Sequence, residues 1–303
     1  MIKLSICIGV LNQFDVARKA IELLSENLQY PEEVEIIAID NGSDQEFTAP
    51  GAVKVVRNQA NSGNYALFEQ AASLAQGEIV AIIHSDVFIY EKGWDVKVCG
   101  VFSDNDDLGL AGFIGSTEID LFGGRGMGTV SNMQGREVGE WRGSAAQIHG
   151  KRDEGFIKDG SVVDGCVMIF RKSVLESIPF REDYPPHHFY DRLFSCQVLQ
   201  MGYKVGILGI PFDHISGQTA NKEGKWQQTS SFWFKLHYGI DTPQQWAEIH
   251  KDWVNNPKNP SRGKVPDQWD YCSYLEAERL FLQEFRDQKH FIPTIYGKSA
   301  GIM

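Results

Sequence analysis

The sequence predicts an α/β protein built on a mostly parallel sheet flanked by helices. Three observations carry that prediction. Apolar runs of strand length alternate with stretches whose apolar residues recur at helical spacing. The runs are nearly uninterrupted by polar residues, as strands covered on both faces require. Polar residues gather directly after each run, where the loops of such a sheet converge at its carboxyl edge.

Residues 4–10 are a β-branched first strand, and 15–28 carry Ala17, Ala20, Ile21, Leu24 and Leu28 as a helical stripe. A second strand at 34–39 ends in the turn-forming Asp40-Asn41-Gly42-Ser43. A third spans 53–56. The polar segment 58–64 then leads to a helix carrying Leu67, Ala71 and Leu74, which Gly77 is expected to end. Residues 79–83 are a wholly apolar fourth strand that stops at His84-Ser85-Asp86. Further strands are expected at 108–114, 162–170 and 204–208, and a helix at 189–201 closed by Gly202. The glycine-rich stretch 115–161 reads as one long, partly mobile loop able to close over a ligand.

At 303 residues and 42% hydrophobic, the chain can bury one large core or two small ones. No run approaches the roughly 20 uncharged apolar residues that span a bilayer, and residues 1–8 read as a strand, without a cleavage site for a signal peptide. Cysteines 7, 99, 166, 196 and 272 are dispersed, which argues against a disulfide framework or a Cys-based zinc site and suits a reducing cytoplasm. The net charge of −11 disfavours nonspecific grip on a nucleic-acid backbone. That charge is uneven, with 18 basic and 30 acidic residues in 1–221 against 11 and 10 in 222–303. Five of seven tryptophans (226, 233, 246, 253, 269) also fall in the last part. The expected division is therefore a ligand-binding and catalytic domain at 1–221 and a helical, aromatic-rich extension at 222–303.

Local chemistry leaves alternatives open. Asp86, one residue removed from His84 at a strand tip, fits a divalent-cation ligand or a simple turn residue. His214 fits a metal ligand or a hydrogen-bonded structural histidine. Asp191 fits a general base or a first-turn helix acid. Gly123 to Gly128 lack G-x-G-x-x-G spacing, and the chain has no Walker loop, nucleophile elbow or H-E-x-x-H.

Their order is more informative than any one of them. Leu4-Ser5-Ile6-Cys7-Ile8-Gly9-Val10-Leu11-Asn12, Asp40-Asn41-Gly42-Ser43, Asn61-Ser62-Gly63, His84-Ser85-Asp86, Gly93-Trp94, Asp164-Gly165, Phe189-Tyr190-Asp191, Gly202-Tyr203-Lys204-Val205 and His214 follow one another along the chain. The series resembles the family 2 glycosyltransferases of GT-A fold across residues 3–219.

The resemblance implies an inverting transferase that moves a sugar, in the first instance a hexose, from a UDP-linked or similar donor to an acceptor hydroxyl, with Mn²⁺ or Mg²⁺. It places Val10, Asn12, Asp40, His84 and Ser85 at the nucleotide and Asp164 and Gly165 at the sugar or acceptor. Asp86 and His214 fall at the metal and Asp191 at the catalytic base. The acceptor is left open among glycan, lipid-linked, protein and modified-base hydroxyls. The extension is left as an acceptor-binding or homo-oligomer surface. Two positions depart from the family pattern: His84 replaces the first acid of D-x-D, and Tyr190 replaces the Glu of the Glu-Asp pair. Two other readings stay open. A nucleotidyltransferase would carry a Gly-rich basic loop after the first strand, which Asn12-Gln13-Phe14-Asp15 is not, and a non-catalytic binding protein would release no nucleotide from any donor.

Overall fold

A computed structural model describes residues 1–120, 123–126, 128–135, 137–138, 141–142, 150–181, 183–185, 187–215 and 271–291. The composition break near 222 and the tryptophans at 226–269 lie outside them. In chain order the elements are β1 (Leu4–Val10), α1 (Phe14–Glu26), β2 (Val34–Asp40), β3 (Lys54–Arg57), α2 (Gly63–Leu74), β4 (Ile79–His84), β5 (Val87–Ile89) and α3 (Trp94–Asp104). There follow β6 (Leu108–Gly112), β7 (Ile114–Ser116), β8 (Thr129–Ser131), β9 (Met133–Gly135), β10 (Glu137–Val138), β11 (Trp141–Arg142), β12 (Phe156–Gly160), β13 (Val162–Val163) and β14 (Val167–Arg171). The last are α4 (Lys172–Ser177), α5 (Tyr190–Gln200), β15 (Lys204–Leu208), β16 (Phe212–His214) and α6 (Tyr271–Phe285).

The main sheet has eight strands in the order β12-β15-β6-β14-β4-β1-β2-β3. β1 runs parallel to β2 and β4, β2 to β3, and β15 to β6, while β14 and β12 run antiparallel to their neighbours. The expected α/β class and mostly parallel sheet are therefore what the chain adopts. Alternate residues of each strand feed two cores, as the two-residue period of a strand dictates. Leu4, Ile6 and Ile8 pack with Ala17, Ile21 and Leu24 of α1 and with Trp94 and Phe102 of α3. Val80, Ile82, Met168 and Phe170 face Phe68 of α2, Phe194 of α5 and Phe281 of α6 on the other side. Each fully buried aromatic or leucine of this kind is worth roughly 1.5–3 kcal/mol, so both cores hold the strand ends rigidly.

Four local expectations are corrected. The run 108–114 is two strands, β6 and β7, separated at Phe113. The run 162–170 is likewise β13 and β14, because Asp164-Gly165-Cys166 leaves the sheet. Apolar composition hid both breaks. The stretch 115–161 is not one long loop, since its described residues form short strands, β12 at the edge of the main sheet and others, such as β8, in small sheets. Gly77 does not end α2. That helix stops at Leu74, and the amides of Gln76 and Gly77 donate to the Ser5 hydroxyl at 3.1 and 2.8 Å. A Cβ at Gly77 would come within 2.8 Å of the Ser5 nitrogen, so this glycine serves close approach of two backbones.

Candidate active site

The register of the central strands sets the site. Val10 lies opposite Asp40 on β2, and Gly9 lies opposite His84 on β4. β14 is antiparallel, so the segment before it, Asp164-Gly165-Cys166, arrives at the same edge, where the His84 amide donates to the Cys166 carbonyl at 2.9 Å. The positions predicted to bind therefore share one edge of the sheet.

At the β1–β2 end, the Asn41 amide donates to the Val10 carbonyl at 2.8 Å. Asn12 adopts a left-handed backbone (φ 55), its amide donates to the Ser43 hydroxyl, and its side-chain oxygen accepts from the Asp44 amide. The Asp40 carboxylate is completely buried and accepts from the amides of Ser43 at 3.0 Å and Phe47 at 3.3 Å, with Arg57 3.8 Å away. These three positions brace the turn that follows β2.

At the β4 end, His84, Asp86 and His214 each offer one ligand atom within 4.8 Å of the others. Asp86 reaches the cluster from the turn after β4, and His214 reaches it from β16, which pairs with β5. Nε2 of His214 is 3.2 Å from the Asp86 carboxylate. Burial pushes the Asp86 carboxyl upward, but His214 and His84 outweigh it and hold the group below the usual carboxylate range. Burial pushes the His84 imidazolium toward deprotonation, against the pull of Asp86. Imidazole and carboxylate together suit a divalent transition cation such as Mn²⁺ better than Mg²⁺, which prefers oxygens alone. Ser85 lies in the turn between His84 and Asp86.

The remaining predicted residues surround this cluster. Asp164 accepts from Arg125 at 2.7 Å and from the Cys166 amide at 3.0 Å. Gly165 faces Tyr190, whose hydroxyl occupies the space a Cβ would need. Asp191 sits in the first turn of α5, and its carboxylate accepts from the Arg192 amide at 2.9 Å and guanidinium at 3.2 Å. Arg192 also donates to the Gly123 carbonyl at 2.6 Å and lies over the Phe189 ring. Phe189, just before α5, has a left-handed backbone (φ 59).

Arg125 and Arg192 carry no recognisable signal in the sequence, and Tyr190 stands out there only as a departure from the family pattern. Tyr190, Arg125 and Arg192 contact His84, Asp164 and Asp191 respectively, from 106, 39 and 1 residues away. Only Arg192 is near its partner in sequence, and a basic residue beside an acid on a helix is too common to single out.

A family profile described as "Glycosyltransferase like family" matches residues 19–238. No curated protein matches the chain. Among solved structures, Staphylococcus aureus TarS 1–349 is 16% identical over 71% of this chain and 61% of its own, with a TM-score of 0.49. The same TarS fragment in complex with UDP gives 15%, 70%, 59% and 0.45. The mannosyltransferase PcManGT from Pyrobaculum calidifontis in complex with GDP-Man and Mn²⁺ is 13% identical over 93% of this chain and 72% of its own, with a TM-score of 0.47. The chain thus spans about three fifths of the TarS fragment it resembles.

Proposed function

The chain belongs to the glycosyltransferase-like family, and from that premise we propose that it is an inverting transferase moving a hexose from a UDP-sugar to an acceptor hydroxyl. One observation carries this reading. The fold gathers His84, Asp86 and His214 at the sheet edge that also receives Asp164 and the Asp191-bearing start of α5.

In this reading Asp86 and His214 hold a divalent cation, Mn²⁺ in preference to Mg²⁺. When bound, such a cation neutralises charge on the diphosphate of the leaving nucleotide. Val10, Asn12, Asp40 and Ser85 frame the nucleotide, Asp40 by holding the 41–47 turn in shape. Asp164 and Gly165 line the sugar side. Asp191 takes the proton of the acceptor hydroxyl as its oxygen bonds to the anomeric carbon from the face opposite the nucleotide. The anomeric carbon–oxygen bond breaks with its electron pair going to the β-phosphate oxygen, so configuration inverts. Residues 1–221 supply this machinery, and 222–303 present the acceptor or a second copy of the chain. Cys7, Cys99, Cys166 and Cys196 are free thiols, which supports action in the cytoplasm. No helix of the described residues is long and apolar enough to cross a membrane.

The test is a panel of nucleotide sugars incubated with the full chain and Mn²⁺, with free nucleoside diphosphate and product anomer followed by NMR. UDP release with an inverted product is expected. Pyrophosphate release from a nucleoside triphosphate and a sugar phosphate would make the protein a nucleotidyltransferase instead.

A further inference from the structure

The two departures from the family pattern, His84 and Tyr190, touch each other. Nε2 of His84 is 3.0 Å from the Tyr190 hydroxyl. That hydroxyl is buried, and His84 is its single hydrogen-bond partner among the described residues. Gly165 keeps the space for it, since any side chain there would meet the phenol oxygen. The His84 amide donates to the Cys166 carbonyl, which anchors the backbone that carries the ring.

A phenol carries one hydrogen to give and can also accept. Were it only to accept from His84, its own proton would be left buried without a partner, which costs about a full desolvation penalty. Donating to Nε2 spends that proton and leaves only lone pairs unfilled. We propose that Tyr190 donates to Nε2 of His84 and so fixes the ring proton on Nδ1, making His84 a hydrogen-bond donor to an oxygen of the nucleoside diphosphate and not a ligand of the cation. With Nε2 occupied and Nδ1 protonated, the ring has no lone pair for a metal. Nδ1 has no hydrogen-bond partner among the described residues, so its proton is available to a bound molecule. Tyr190 is the positioning residue, and His84 the group that touches the donor. The ligand class rests on the glycosyltransferase reading; the tautomer does not.

The experiment starts with the ligand-free full chain carrying ¹⁵N-histidine, read by long-range ¹H–¹⁵N correlation. The His84 proton is expected on Nδ1, and a proton on Nε2 overturns the proposal whatever the protein binds. Tyr190→Phe is expected to move the ring toward the Nε2-protonated form. In that variant UDP affinity in the presence of Mn²⁺ should fall about five- to tenfold, the size of one hydrogen bond. Mn²⁺ affinity measured alone should stay the same or rise, because a nitrogen has been released. An unaltered tautomer with unaltered UDP affinity in Tyr190→Phe also overturns the proposal. A wild-type chain that shows the Nδ1 proton but binds no UDP supports the tautomer assignment and counts against the donor reading.

Discussion

At the end of β2 the Asp40 carboxylate is wholly buried, and its oxygens are taken by the amides of Ser43 and Phe47. Just past the end of β4 the Asp86 carboxylate keeps partial exposure and faces the imidazole of His214 at 3.2 Å. Both acids follow an apolar strand and both lie at the carboxyl edge of one sheet. The first accepts two amide hydrogen bonds from its own loop, while the second sits among side chains that can bind a ligand. An acid at a strand tip is therefore read by its partners: buried backbone amides make it a scaffold, and a cluster of metal-ligating side chains makes it a candidate site.

The largest effect should come from Asp191, the acid proposed to take the proton of the acceptor hydroxyl. Asp191→Asn is expected to lower turnover by about 10²–10⁴, with UDP affinity nearly preserved, as steady-state kinetics and calorimetry would report. Undiminished turnover would move the base elsewhere. Asp86→Ala should weaken Mn²⁺-dependent UDP binding by about tenfold to a hundredfold or more, while the melting temperature stays near that of the wild type. Equal UDP affinity with and without Mn²⁺ in the wild type would remove Asp86 from the reactive class.

Asp40→Ala tests the other side. Two buried amides lose their acceptor, so the fold should lose roughly 2–4 kcal/mol, read by urea denaturation. The loss should also appear as a clear drop in melting temperature. If Asp40→Ala instead melts like the wild type but no longer binds UDP, the two carboxylates have the same kind of role and the contrast drawn between them fails.

The same contrast explains what was legible in the sequence. Strands β1, β2 and β4 were readable because a buried parallel strand leaves an unbroken apolar run, and the residues after them had to share an edge. Asp86 was readable as a candidate for that reason, and His214 through its place in the family series. The family series already places the two together at the metal, but the route is not written in either neighbourhood, because β16 reaches β5 through an antiparallel pairing that no local pattern encodes. The breaks at Phe113 and at Asp164-Gly165-Cys166 were masked by apolar neighbours, although both turn the chain into the site. Contacts between distant elements, such as Tyr190 with His84 and Arg125 with Asp164, depend on packing and have no periodicity to betray them.

Asp164 lies between the two cases. It borders the His84-Asp86-His214 cluster, yet its oxygens are engaged by the Arg125 guanidinium at 2.7 Å and the Cys166 amide at 3.0 Å. Burial alone would raise its pKa, but Arg125 and the Cys166 amide outweigh burial and hold the carboxyl well below its ordinary range. A folded-state pKa below the unfolded one adds stability that is fully present above the unfolded value, about 3.9. It is lost as the pH falls toward the folded one. Arg125→Met should therefore cost roughly 1–2 kcal/mol near neutral pH, a modest amount because the pair is partly exposed. The gap between variant and wild type in urea denaturation should narrow as the pH is lowered below about 4. A gap that persists unchanged to pH 2 would mean that Arg125 stabilises the fold through its packing and not through the Asp164 charge, and Asp164 would then belong with Asp86 among the groups left available for ligand.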